Sequence, residues 1–283
     1  MIYPSLTYNM IQEMRLAHAL MESRFTVCIP AEHAGKFKRL QQVFGICFAT
    51  EITLGEKISL ALSHDEPRTS VGALTRPLVF PQGILRLCRS LWRKERNIQV
   101  SFMGLVTGNR ADLLEGWCRK NWFLVDRKMP NLNPFWHRVS SKAHRILGFP
   151  PSTLRLQIGD LLVWSSQRGR TFPVKAWDQE YYELLAASKF VFCPSGDCIW
   201  SYRFFEAILC GALPIVEKAC PAYDGFAFYS MDDAVARMQW SKSLAESNFR
   251  LCADRITIPT DILNEELDRI LAAGEKAKMG NDQ

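Results

Sequence analysis

The apolar residues of the chain recur at two spacings, one typical of helices and one typical of strands. Over 10–21, methionine, alanine and leucine recur every three or four residues, and a compact apolar run follows at 25–30. The first spacing predicts an amphipathic helix, and an apolar run that ends at a proline predicts a strand. The same pair is predicted at 34–43 and 44–49, and another amphipathic stretch covers 53–63.

The rest of the chain continues this alternation. Helices are predicted at 81–96, 181–188, 200–210, 232–245 and 260–277, and one more follows the loop 104–110 and ends at 117. Strands are predicted at 98–103, 122–125, 161–164, 190–193 and 212–216. Repeated strand–helix–strand units favour a mainly parallel sheet that helices cover on both faces. We therefore expect an α/β fold.

Proline and glycine interrupt the pattern at 67–78, which predicts a boundary between two lobes. We expect an N-terminal lobe over 1–76, a larger lobe over 77–255 and a helical tail over 256–283. The first lobe is unusually small for a strand–helix lobe.

Composition and charge narrow the class of protein. Of the 283 residues, 48% are hydrophobic and 23% are charged, which is typical of a globular protein with a core. No apolar run approaches the roughly 20 residues that cross a bilayer, and the first residues lack the layout of a secretory signal. We expect a soluble, cytoplasmic protein without an integral membrane segment. The net charge of +6 favours an anionic ligand or surface.

The cysteines suggest packing rather than metal binding. Their number is odd, they lie mainly in apolar segments, and neither a C-x-x-C pair nor a zinc-like spacing to histidine occurs. Free thiols in a reducing compartment are therefore favoured over disulfides, and no metal site is predicted. The cysteines are Cys28, Cys47, Cys88, Cys118, Cys193, Cys198, Cys210, Cys220 and Cys252.

Two loops follow predicted strands, where open α/β sheets bind ligands. The first, GLVTGNR at 104–110, matches neither a Walker loop nor a dinucleotide loop. Gly104 lets the backbone approach a ligand and Arg110 can reach an anion. A tight turn with a solvated arginine explains the loop equally well.

The second loop lies within FCPSGDCIWSYRFFEAILCGALPIV at 192–216. Amides at the start of the predicted helix, with the hydroxyls of Ser195 and Ser201, can bind an anion. Arg203 can donate two hydrogen bonds to a phosphate, and Glu206, three residues later, shares its helix face and suits a ribose. A surface ion pair between these two residues is the alternative.

The stretch 181–217 resembles the donor-site signature of the exostosin-like glycosyltransferases (glycosyltransferase family 47). The shared pattern comprises a tyrosine, a leucine, S-K-F, P-x-G, S-x-R-x-x-E-A-I, a small-residue turn and P-I. A weaker similarity covers 102–110, and none is seen before residue 76. The resemblance implies a GT-B-like fold with two Rossmann-type lobes and a nucleotide sugar held mainly by the C-terminal lobe.

The resemblance also implies the chemistry of the site. The diphosphate would be held by Ser195, Gly196, Ser201 and Arg203, the ribose by Glu206, and Gly104 and Arg110 would face the same ligand. The family mostly uses UDP-sugars, inverts the anomeric centre and needs no metal, and the chain has no D-x-D motif. The donor would be UDP-xylose or another UDP-pentose or UDP-hexose, and the acceptor a glycan or glycoprotein. No permanently bound cofactor is expected.

An inverting transfer needs a base that takes the proton of the acceptor hydroxyl. The N-terminal lobe offers S-H-D-E-P, in which Asp65 or Glu66 is our candidate, with His64 and His33 behind them. The same residues can equally serve only to cap a turn.

Two other classes of function fit parts of the sequence, and the first stays open as the alternative. A lobe that binds nucleotide or sugar without transferring it would explain the small first lobe. A nucleic-acid binder is suggested by the arginine-rich segment 86–96, but its apolar face indicates core packing, so no nucleic-acid partner is expected. A compact enzyme without a membrane anchor would fit a bacterium or a large virus, and a viral enzyme would act in the host cytoplasm.

Overall fold

The computed structural model describes residues 1–93, 95–106, 108–121, 153–195 and 198–281. These residues form two compact units. Unit 1 comprises Met1–Leu87, Phe172–Trp177 and Cys252–Gln283, and unit 2 comprises Cys88–Thr171 and Asp178–Leu251. The lobe bounds at 76 and 255 stay predictions. The strand predicted at 122–125 and the site residue Gly196 lie outside the described residues.

Helices and short strands alternate along the described chain. The strands are β1 (Ile2–Pro4), β2 (Glu56–Ile58), β3 (Leu60–Ser63), β4 (Arg68–Val71), β5 (Leu74–Arg76), β6 (Ile98–Gly104), β7 (Thr153–Ile158), β8 (Leu161–Ser166), β9 (Ser188–Cys193), β10 (Leu213–Val216) and β11 (Tyr229–Ser230). The helices are α1 (Ile11–Met21), α2 (Ala34–Phe44), α3 (Gln82–Ser90), α4 (Gly108–Lys120), α5 (Gln179–Ala187), α6 (Tyr202–Leu209), α7 (Lys242–Ile256) and α8 (Thr260–Asn281).

Unit 1 contains a small parallel sheet and an antiparallel meander. β1 pairs in parallel with β2, and β3, β4 and β5 form the meander. The strands predicted at 25–30 and 44–49 are reduced to single parallel bridges, Ile2 to Val27 and Cys28 to Ala49. Pro30 cannot donate a backbone hydrogen bond, which explains why the first of these strands stops early.

Unit 2 is built on a six-stranded sheet in the order β11-β10-β9-β6-β8-β7. All neighbours are parallel except β7, which runs antiparallel to β8. One face packs a core that includes Phe102, Trp117 and Phe192, and the rings of Trp117 and Phe192 meet edge to face at 5.2 Å. The α/β class predicted from the alternation is confirmed.

Two predicted helices have different bounds in the structure. The helix predicted at 81–96 ends at Ser90, and Trp92 then donates its indole N–H to the Leu209 carbonyl. The helix predicted at 232–245 begins only at Lys242, since the Ser241 hydroxyl accepts from the Leu244 N–H and caps it there.

α8 is a long helix with one buried face. Leu263 and Leu267 are buried, and the nearly buried Glu266 accepts a hydrogen bond of 2.6 Å from the Ala73 N–H at the β4–β5 turn. No helix among the described residues, α8 included, is long and apolar enough to cross a membrane.

Candidate functional site

The order of the strands in unit 2 marks one edge of the sheet as the place for a ligand. β6 and β9 are neighbours, but the chain leaves β6 toward β7 and β8 on one side and leaves β9 toward β10 on the other. Open α/β sheets bind ligands beyond the carboxyl ends of strands at such a reversal. Both loops singled out in the sequence begin at this edge, after Gly104 and after Cys193.

The structure brings Gly104 and Arg203 into direct contact. Gly104 has φ of +149°, a conformation that favours glycine, and a Cβ at this position would collide with Arg203 Nη2. The Arg203 Cζ also lies 4.8 Å from the centroid of the Phe102 ring. The guanidinium therefore lies over the last residues of β6. A side chain at 104 would have to displace its Nη2 and would also adopt a strained φ.

Arg203 keeps one donor without a partner. Its Nε is buried and makes no hydrogen bond within the described part of the chain. A buried donor without an acceptor costs about 1–3 kcal/mol, so native proteins rarely tolerate one without a reason. Among the described residues, the Nε of Arg96 is buried without an acceptor as well. It is therefore the location of Arg203 at the carboxyl edge of the sheet that makes it a candidate for binding an anion.

Ser201 begins α6 and organises its first turn. Its hydroxyl accepts from the Arg203 N–H at 3.3 Å, and its own N–H donates to the Tyr223 hydroxyl at 2.7 Å. The Tyr223 ring stacks on Phe204 with centroids 3.7 Å apart. Burial raises the pKa of Tyr223, so its hydroxyl stays neutral and can accept this bond. The Ser201 hydroxyl still has its proton to donate to a ligand.

A carboxylate lies beside the turn after β9. The Ser195 N–H donates to Glu217 Oε2 at 3.3 Å, and Glu217 directly follows β10. The amide that the sequence assigned to an anion thus already has an acidic partner. An incoming phosphate at Ser195 would have to displace this carboxylate.

Glu206 lies one turn beyond Arg203 on α6 and is held by α5. Glu206 is only 8% exposed, and its carboxylate accepts from the hydroxyls of Tyr181 at 2.6 Å and Tyr182 at 3.3 Å. Burial raises the pKa of Tyr181, and the negative charge of Glu206 raises it further. The sequence placed Glu206 at the site, and Tyr181 and Tyr182 begin the 181–217 motif, but the spacing of residues does not indicate that their hydroxyls bind Glu206.

Arg110 reaches the same edge from the loop after β6. It lies in the first turn of α4, is partly buried, and donates from Nη1 to the Leu105 carbonyl at 3.3 Å. All of the described donor-site candidates belong to unit 2, at the end of β6 or on the loops and helices that follow β6 and β9: Gly104, Arg110, Ser195, Ser201, Arg203 and Glu206.

The far end of α6 is fixed by residues that sequence reasoning missed. Arg96, 7% exposed, donates to the carbonyls of Ser188 at 2.7 Å and Cys210 at 2.8 Å. Burial lowers the pKa of Arg96 to about 10, which leaves it charged at neutral pH. Trp92 and Trp240 donate their indole N–H groups to the carbonyls of Leu209 and Gly211.

These donors satisfy carbonyl groups that a helix leaves without partners at its C-terminal end. They also tie α6 to the first residue of β9, Ser188. Gly211, with φ of +77°, lies so close that a Cβ there would be 2.6 Å from Trp92 Cε2. The helix that carries Ser201 and Arg203 is thus anchored at both ends.

The candidate base residues lie in unit 1. His64, Asp65 and Glu66 form the turn between β3 and β4, where both carboxylates are exposed and His64 is partly buried. Burial lowers the pKa of His64, although the charges of Glu13 and Asp65 oppose this effect. Their role as acceptor-side base stays a prediction.

The two cysteines at the end of β9 and in the loop after it differ in exposure. Cys193 is 2% exposed, lies within hydrogen-bonding distance of the Val191 carbonyl, and has its pKa raised to about 12 by burial. All nine cysteines are free, with Cys47 exposed and Cys198 partly so. In the described ranges, no three histidine, cysteine, aspartate or glutamate side chains converge as metal ligands.

Comparison with protein-family models finds no match, and comparison with curated proteins finds none either. The assignment of function therefore depends on the geometry at the β6–β9 edge and on the residues of the 181–217 motif.

Proposed function

We propose that the protein is a glycosyltransferase that takes its sugar from a nucleotide sugar bound at the β6–β9 edge of unit 2. The observation that carries the proposal is the guanidinium of Arg203, seated on Gly104 at the sheet's topological reversal with Nε unsatisfied. The resemblance of 181–217 to exostosin-like enzymes supplies the reaction class.

Arg203 would act on the diphosphate. A guanidinium presents several N–H donors in a plane, and it can bind two phosphate oxygens at once. The Ser201 hydroxyl, already fixed as the cap of α6, adds a neutral donor beside it. Such preorganised donors stabilise the charge that develops on the leaving nucleotide, and removing one raises the barrier by roughly 3–4 kcal/mol.

Glu206 would recognise the ribose. The two tyrosine hydroxyls fix its side chain, so its carboxylate is oriented before a ligand arrives. A carboxylate oxygen can accept more than one hydrogen bond, which suits paired sugar hydroxyls.

The loop between β1 and α1 supports the choice of unit 2 for the diphosphate. Its amides are already occupied, because the Glu13 carboxylate accepts from the N–H groups of Thr7 at 3.1 Å, Asn9 at 3.0 Å and Met10 at 3.1 Å. Burial alone would raise the pKa of Glu13, but these bonds and the Thr7 hydroxyl outweigh it and lower the pKa. An internal anion thus fills the position that a phosphate would take.

The resemblance to exostosin-like enzymes adds a donor, a stereochemical course and a base to the proposal. The sugar would come from a UDP-sugar, UDP-xylose or another pentose or hexose, and pass with inversion to a glycan hydroxyl within a GT-B-like arrangement of two Rossmann-type lobes. Asp65 or Glu66 would accept the proton of that hydroxyl, with His64 beside them.

The test combines binding and turnover. A panel of UDP-sugars is screened for hydrolysis and for protection against thermal unfolding, where ligand at about 100 times its dissociation constant adds about 2.7 kcal/mol. Arg203→Ala should abolish turnover and most of the protection, whereas Arg237→Ala, an exposed arginine of unit 2, should change neither. Normal turnover in Arg203→Ala would refute the proposal. UDP protection without any turnover would indicate the alternative, a non-catalytic nucleotide-binding module.

A further inference from the structure

A carboxylate lies at the edge of the sheet that we propose binds the nucleotide sugar. β10 pairs in parallel with β9, and its last residue, Val216, is level with Cys193. Glu217, one residue later, is therefore level with Pro194. Its Oε2 accepts from the Ser195 N–H at 3.3 Å, so the carboxylate lies against the turn that follows β9.

The guanidinium of Arg203 lies on the other side of β9, beside Gly104 at the end of β6. Extended to the end of β6, the parallel register of β6 and β9 places Gly104 level with Pro194 as well. Neighbouring strands of a sheet are about 4.8 Å apart, so the backbones at Gly104 and Glu217 lie about 10 Å apart across β9. A positive and a negative group therefore flank the end of the same strand.

Glu217 can accept further hydrogen bonds. Among the described residues, the Ser195 N–H is its one hydrogen-bond donor and no cationic side chain pairs with it. Glu217 is also partly exposed, whereas Glu206 is nearly buried and is held by two tyrosine hydroxyls. A carboxylate accepts through both of its oxygens, so Oε1 is left for the hydroxyl groups of a ligand.

The protein itself occupies two backbone amides beside Arg203. The Ser195 N–H is bonded to Glu217 and the Ser201 N–H to the Tyr223 hydroxyl. A phosphate at Ser195 would lie against a like charge, which disfavours it. Arg203 provides the opposite charge at the end of β6. The two sides of β9 therefore suit different parts of a ligand, an anionic part beside Arg203 and a hydroxyl-bearing part beside Glu217.

We infer that Glu217 contacts the sugar of the nucleotide sugar and selects neutral sugars over uronic acids. This inference rests on the proposed function, since it requires the diphosphate to bind at Arg203. The Glu217 carboxylate then accepts hydrogen bonds from hydroxyls of the sugar that is linked to this diphosphate. A sugar that carries its own carboxylate meets a like charge there and is disfavoured. The donors are therefore nucleotide-linked pentoses and neutral hexoses.

The experiment compares three ligands by isothermal calorimetry: UDP, UDP-glucose and UDP-glucuronic acid. The two sugars differ only at C6, where glucuronic acid carries a carboxylate. The natural protein should bind UDP-glucose about tenfold more tightly than UDP-glucuronic acid. Glu217→Gln keeps an oxygen for the Ser195 N–H but loses the charge, so most of this preference should disappear while UDP binding is retained. Asp232→Asn removes the same charge from a side chain of unit 2 that is 92% exposed, and it should keep the preference.

A second variant tests the contact with the sugar. Glu217→Ala removes the acceptor, so it should weaken the binding of UDP-glucose about tenfold without weakening that of UDP. The inference is overturned if Glu217→Gln keeps the full preference or loses UDP as well. It is also overturned if Glu217→Ala binds UDP and UDP-glucose more tightly by the same factor, which would place a phosphate on the freed Ser195 amide.

These results are distinct from a failure of the proposed function. UDP binding that is lost in Arg203→Ala supports the nucleotide site even where the Glu217 variants overturn the inference. If the natural protein binds neither UDP nor UDP-glucose, the proposed function fails and the role of Glu217 fails with it.

Discussion

The guanidinium of Arg96 donates to the carbonyl of Cys210, one residue past the helix whose first turn carries Arg203. Because Arg96 also bonds the first residue of β9, it connects the strand that leads into the site with the far end of the helix that leaves it. The position of Arg203 therefore depends on a buried cation at the other end of α6.

Arg96→Ala should lower the free energy of unfolding by about 3 kcal/mol, because two carbonyls lose charge-assisted hydrogen bonds in a buried setting. Urea unfolding followed by circular dichroism measures this loss. Arg93→Ala, an exposed neighbour, should change stability by less than about 0.5 kcal/mol. Equal losses in the two variants would show that the Arg96 contacts contribute nothing.

Gly104→Ala should act through Arg203. The new methyl group collides with Nη2, and the alanine has to adopt a φ that is unfavourable for any residue but glycine. We therefore expect a loss of about 1–3 kcal/mol in stability. Part of this cost is relieved when Arg203 is absent. In a double-mutant cycle with Arg203→Ala, the coupling energy should therefore be about 0.5 kcal/mol or more. Additive effects would mean that the two residues do not interact.

The local elements of the site could be predicted from the sequence, but its long-range contacts could not. The strand at 190–193 and the helix at 200–210 follow from buried runs and helical spacing, which depend on neighbouring residues. The packing of Arg203 on Gly104 joins positions far apart in the chain. Hydrophobic periodicity contains no information on such contacts.

The wrong end of the helix predicted at 81–96 also results from contacts between residues far apart in the chain. The helix predicted to continue to 96 stops at Ser90, because Trp92 and Arg96 find acceptors at the end of α6 that lie more than a hundred residues away in the chain. A sequence pattern reports the preference of a segment, and tertiary hydrogen bonds can override it.

His18 should make stability depend on pH. It is fully buried, and burial, with a smaller effect of Arg86, lowers its pKa from 6.5 to about 3. Between these values the unfolded chain binds the proton and the folded chain does not, so stability falls as the pH decreases below 6.5. The slope approaches about 1.4 kcal/mol per pH unit.

Urea unfolding from pH 7.5 down to 4.5 measures this dependence, with His18→Leu as the variant that cannot titrate. The difference in stability between the variant and the natural protein should grow in favour of the variant as the pH falls. The Glu22 carboxylate lies 3.7 Å from His18. Burial raises its pKa, although hydrogen bonds from the Gly83 and Gln82 amides oppose this effect. Above pH 4.5, Glu22 therefore makes the folded protein more stable as the pH falls, which is opposite to the effect of His18. A constant difference across the range would exclude His18 as the source.

Glu206 should distinguish ribose from 2′-deoxyribose. This selectivity separates its role from that of Arg203, which should bind the diphosphate. The natural protein should bind UDP about tenfold more tightly than 2′-deoxy-UDP, since one charge-assisted hydrogen bond depends on the missing hydroxyl. Glu206→Gln keeps an amide oxygen that accepts a hydrogen bond but loses the charge, so it should show a clearly smaller preference for UDP, whereas Arg203→Ala should bind both weakly and keep the preference. Tyr181→Phe, which removes the 2.6 Å bond to the Glu206 carboxylate, should reduce the preference without abolishing it. Calorimetric titration of the four proteins decides the matter: if Glu206→Gln keeps the full preference for UDP, the carboxylate serves the packing of α5 on α6 and not the ligand.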